Sequence, residues 1–181
     1  MIDRHDDMLG VVQSAAVGGT SWTYAELGDT GFLMGQLADN STDILQLKIQ
    51  VPHWRKLGSN LDSIHIHLVN ETAIAEGETV VLDEMSYVWL RVGDVIPAAA
   101  SWTAISDFTY TAPAGGVAAK TYMLWSIVED VAPPADEGYG GMLLVKVRRG
   151  NGTATGDIGI LDVDAHSIKD RMGSINEASD S

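Results

Sequence analysis

Residues 43–52 read DILQLKIQVP, and the alternation inside this stretch decides the fold. Leu45, Leu47, Ile49 and Val51 fall on one side of an extended chain; Gln46, Lys48 and Gln50 fall on the other. Successive side chains on a strand point to opposite faces, so this period of two predicts a strand with one buried and one wet face. Pro52 ends the ladder because it has no backbone N–H to donate.

The same period recurs on both sides. SIHIHLVN (63–70), SYVWLRVG (86–93), SDFTYTA (106–112), KTYMLWSIVEDV (120–131), GMLLVKVRRG (141–150) and GDIGILDVDAHS (156–167) all read as strands, and GFLMGQL (31–37) as a short first one. NETAIAEGE, PAAAS, APAGG, APPADEGYGG and RGNGTATG supply the turns. No long stretch carries apolar residues at helical spacing; PHWRKLG and HSIKDRMGSI could each make one helical turn. About eight strands in one chain predict an all-β fold, a jelly-roll-like β-sandwich rather than an up-and-down barrel. Residues 1–30, rich in Gly, Ala, Ser and Asp and without sustained period, read as an extended N-terminal arm; 31–170 form the sandwich and 171–181 a polar tail.

At 181 residues with 45% hydrophobic content, the chain can bury one sizeable core. Its net charge of −14 repels a phosphate backbone and anionic lipid, which argues against nucleic-acid and membrane partners. With no cysteine, disulfides, thiolate metal sites and thiol nucleophiles are excluded. MIDRHDDMLG lacks the basic-then-apolar layout of a secretion signal, and no apolar run approaches the about 20 residues that span a bilayer. The expectation is a soluble protein without an export signal.

The stretch with the most chemistry is GSNLDSIHIHLVNETAIAEG, residues 58–77. His65 and His67 share a strand face and can converge on one metal, with Glu71 beyond them as an oxygen donor. The stretch resembles the first motif of the cupins, with the glycine-to-histidine gap one longer and the final gap one shorter. A cupin resemblance implies a metal-dependent enzyme, but the second motif, a P-x-G followed by a third histidine, is absent: His166 is the only histidine after His67. The expectation is therefore a strand with Ile64, Ile66 and Leu68 inward and the imidazoles outward, toward a sheet surface or a neighbouring subunit. No metal or other cofactor is assigned; His65, His67 and Glu71 are the candidates were one held.

A second polar face lies in LDVDAH, where Asp162, Asp164 and His166 alternate in the manner of a hard-metal cluster or a plain polar strand face. No nucleophile elbow and no phosphate-cradling loop is present, so no catalytic residue is assigned. Trp54 and Trp102 lie in expected loops, where exposed indoles could stack on sugar rings; Trp89 and Trp125 lie in expected strands, as core or interface residues.

Taken in order, VPHWRKLGSNLDSIHIHLV, YVWLRVGDVIPAAASWTAISDFTYTA, LLVKVRRGNG and ILDVDAHSIKDRMGSINEAS resemble a set of tailed-bacteriophage virion proteins over about residues 43–178. Two departures stand out: Leu68 replaces the aromatic that often follows H-x-H, and Ala165, His166 and Ser167 stand where D-x-H-Y is common. The resemblance implies a non-enzymatic structural protein on the capsid exterior, assembled in the host bacterial cytoplasm, often trimeric. A decoration or cement protein binding the major capsid protein is the expected role; a glycan-binding tail or head-fibre component and a cupin-type enzyme are the alternatives. The contacts expected to carry assembly are Phe32, Leu33 and Met34, with His65, His67 and Trp89 at subunit boundaries.

Overall fold

The computed structural model describes residues 4–14, 24–27, 29, 31–39, 44–51, 57–135 and 141–169. Within them the chain forms eleven strands and a 3-10 turn at Ala99–Ser101. The strands are β1 (Arg4–Ser14), β2 (Tyr24–Glu26), β3 (Leu33–Leu37), β4 (Ile44–Val51), β5 (Leu61–Asn70) and β6 (Thr79–Leu90). They continue with β7 (Thr103–Ala104), β8 (Phe108–Thr111), β9 (Tyr122–Val131), β10 (Gly141–Arg149) and β11 (Ile158–Lys169).

All neighbours pair antiparallel, in two sheets that make a jelly-roll-like sandwich. In the first sheet β11 is central: β5 and then β9 lie on one side, and β3 with β2 and the first half of β1 lie on the other. In the second, β4 and β10 are central, with β6 carrying the short β7 and β8 and with the second half of β1 on the far edge. β1 thus belongs to both sheets. Residues 4–9 pair with β11, and from Gly10 onward the strand pairs with β4.

The core lies where the two inner faces meet. Leu45, Leu47 and Ile49 of β4 are fully buried, as are Ile64, Ile66 and Leu68 of β5 and Leu143, Val145 and Val147 of β10. The period read in residues 43–52 holds: β4 alternates buried and partly exposed positions along its length. Trp125 of β9 is part of the core, stacked on Tyr110 at 5.0 Å between ring centroids.

Two loops are fixed by specific chemistry. Gly116 has φ +70, and a Cβ there would stand 2.6 Å from the Ile74 carbonyl oxygen, so the pairing of Ile74 with Val117 requires glycine. Arg149 is 1% exposed; its guanidinium donates to the carbonyls of Gly156 and Ala154 and lies 3.5 Å from Asp39. Burial lowers its pKa and the charges of Asp39 and Asp157 raise it, yet an arginine stays protonated.

Two expectations are corrected. Residues 4–14 and 24–26, read as part of an arm, form β1 and β2 inside the sheets. The helical turn expected from His166 onward is instead strand through Lys169, because its backbone completes the ladder with β1. Of the helical turn expected at 52–58, residues 52–56 with Trp54 lie outside the described residues, as does the tail from 171.

Candidate functional site: a histidine–aspartate cluster on the outer sheet face

β5 and β11 pair in regular register from His67 opposite Asp162 to Ser63 opposite His166, with His65 opposite Asp164 between them. Register shifts bracket this segment, between Ile160 and Asp162 at one end and between His166 and Ser167 at the other. Bulges bend strands and re-aim side chains, and they concentrate beside functional sites. With Ile64, Ile66, Val163 and Ala165 committed to the core, the alternating set must point away from it: Ser63, His65 and His67 from β5, and Asp162, Asp164 and His166 from β11. The two polar faces read separately in the sequence are one face.

Asp164 is its centre. One carboxylate oxygen lies 3.4 Å from His65 Nδ1, directly opposite, and the other lies 3.4 Å from His67 Nε2, on the diagonal. The far ring nitrogens are occupied: His65 Nε2 shares a hydrogen bond with Ser63 Oγ at 3.0 Å, and His67 Nδ1 shares one with the Tyr122 hydroxyl at 2.6 Å. The His166 ring meets His65 edge-on at 4.3 Å between centroids. His65, Asp164 and His166 each offer a ligand atom, all within 4.8 Å of one another.

Although it faces outward, the centre is dry. The Asp164 side chain is 7% exposed and that of His65 14%. Burial, reinforced by the neighbouring His166, pushes His65 below the ordinary histidine value, and the negative charge of Asp164 offsets only part of this. His65 is therefore neutral at pH 7, with one ring nitrogen available as an acceptor.

The order Ser63–His65–Asp164 is that of a serine-hydrolase relay, but the parts are not assembled as one. Ser63 is 6% exposed, and Asp164 Oδ1 makes no hydrogen bond, so nothing fixes the imidazole through an aspartate–N–H contact.

Of the cupin-like set, Glu71 is set apart: its carboxylate accepts from the Asp157 backbone N–H, tying the end of β5 to the start of β11, while Asp164 and His166, the groups that gather with His65, come from β11. His65 and His67 face outward as the alternation requires. Phe32 and Leu33 are 66% and 68% exposed, whereas Met34 is buried against Leu27 and Val69 and offers no surface for assembly. Trp89 packs half-buried against the core. Trp102, expected in an exposed loop, is 9% exposed, with its ring N–H donating to the Pro97 carbonyl and Lys146 Nζ 3.8 Å from the ring centroid. Nothing in the sequence pointed to Ser63 or Tyr122; what marks them is their alignment with the histidines on one face.

No family model matches the chain, and no curated protein is significantly similar to it. No helix among the described residues is long and apolar enough to cross a membrane.

Proposed function

We propose that this protein is a virion structural component of a tailed bacteriophage, a capsid decoration protein that works by binding rather than by chemistry. The observation that carries the reading is apolar surface that a lone chain leaves in water. Val92 and Val95 are each 89% exposed and Ile96 is 61% exposed on the loop after β6, besides Phe32 and Leu33 at the start of β3. Covering such side chains contributes about 25 cal/mol per Å² before association costs. β9, which pairs only with β5 among the described residues, also presents a strand edge to which a neighbour's strand can add. Homotrimerisation and attachment to the major capsid protein are the assembly steps this surface supports, and the acidic charge suits the outside of a DNA-filled shell. The glycan-binding alternative loses Trp102, whose ring face is covered.

The test is the mass of the purified protein in solution together with its copy number in virions. Trimers and a copy number in fixed ratio to the capsid protein are expected. A handful of copies per particle would move the protein to the tail or portal vertex, and absence from virions would end the proposal.

A further inference from the structure

The buried carboxylate of Asp164 has no structural account in the sheet itself. A strand face that merely tolerates polar groups leaves them in water, yet here the Asp164 side chain is 7% exposed and its Oδ1 has no hydrogen-bond partner. An ionised carboxylate withdrawn from water without full hydrogen bonding is strongly disfavoured unless a positive charge compensates it. His65 Nδ1 stands 3.4 Å away, near enough for electrostatic contact and outside a well-formed hydrogen bond.

That spacing has another meaning. Ligand atoms each about 2.1 Å from a shared metal, at angles between octahedral and tetrahedral, stand roughly 3.0–3.4 Å from one another. The His65–Asp164 pair already has this separation, and His166 belongs to the same group within 4.8 Å, a gap that side-chain rotation can narrow. Ser63 Oγ holds the other nitrogen of His65, the outer contact by which metal-binding imidazoles are oriented with the lone pair turned to the ion. β5 and β11 are adjacent strands in fixed register, so the ligands are supplied by rigid elements rather than by loops.

We propose that His65, Asp164 and His166 form a binding site for one divalent first-row transition cation, clamped across β5 and β11. Two imidazole nitrogens and one carboxylate oxygen suit Zn²⁺, Co²⁺ or Ni²⁺; Ca²⁺ and Mg²⁺, which take six or more oxygens, are poorly served. Three protein ligands leave a coordination position open for water or for an atom from outside the chain. The site differs from the cupin pattern in its ligands, since Glu71 takes no part, and it does not depend on the virion reading.

The experiment is calorimetric titration of the full chain with Zn²⁺ in excess Mg²⁺, which occupies ordinary surface carboxylates, followed by Co²⁺ absorption to report the ligand field. Wild type should bind about one Zn²⁺ per chain, with a rise in Tm on loading. His65→Gln and His166→Gln should each weaken binding by about 10–100-fold and abolish the Tm rise, with far-UV circular dichroism as the check on folding. Asp164→Asn should do the same; should it fail to fold, the half-exposed His166 still supplies the test. The double variant His5→Gln/His53→Gln removes the two histidines to which no role in the cluster is assigned and should bind as wild type. The proposal is overturned if wild type shows no tight Zn²⁺ binding or binds Ca²⁺ as tightly. It also fails if affinity survives in His65→Gln and His166→Gln while the His5/His53 variant loses it.

Discussion

At the scale of the residue, His65 shows how a strand position acquires chemistry. The opposing register puts Asp164 at its ring, the diagonal adds His67 to the same carboxylate, and His166 covers an edge. A histidine whose folded-state pKa lies below its unfolded value favours the fold when neutral. The unfolded chain takes up the proton first as pH falls below about 6.5, so it binds more protons than the native state there. Stability of metal-free protein should therefore be level above neutrality and decline as pH drops through the window between the unfolded and the lower folded pKa. Urea midpoints measured across that range check this, and His65→Gln should flatten the decline. A midpoint that rises on acidification would contradict the assignment of His65 as a buried neutral ring.

Elements are joined by a few fixed points, and Arg149 at the end of β10 is the clearest. It reaches the loop ahead of β11 through the Ala154 and Gly156 carbonyls and the segment after β3 through Asp39. Arg149→Ala leaves those acceptors and a half-buried carboxylate without their cation, and should cost about 3 kcal/mol, read as a lower denaturation midpoint. A loss below about 0.5 kcal/mol would mean that water replaces the guanidinium freely. The strands flanking this point were legible because Leu, Ile and Val alternate with polar residues along them, as in residues 44–51. β1 was not, since RHDDMLGVVQS has no such alternation and its place depends on pairing with β11 and β4. The same limit applied to the cluster. Both H-x-H and D-x-D-x-H read as polar strand faces, but nothing local says that His65 lies opposite Asp164. Trp102 misled for a related reason: PAAAS reads as a solvent loop, and only the fold brings Lys146 over the indole.

At the scale of the molecule, the sandwich separates its inner and outer roles. Its inner faces are apolar, and the most exposed apolar side chains, Val92, Val95, Leu33, Phe32 and Ile96, lie at the start of β3 and on the loop after β6, with Tyr122 and Leu124 exposed on β9. Val92→Asp/Val95→Asp should leave the unfolding free energy within about 0.5 kcal/mol of wild type, because both side chains are already in water. The same variant should shift the protein toward a smaller species by light scattering; an unchanged mass would place assembly elsewhere on the surface. One further consequence follows from β1, which lends its first half to one sheet and its second half to the other. Its partner β11 is the last strand described, so on a ribosome residues 4–9 must wait for that pairing until β11 has emerged about 150 residues later. Contacts so distant in sequence make for slow folding, and in a crowded cell that waiting edge is where two nascent chains could exchange strands before either has closed its own sandwich.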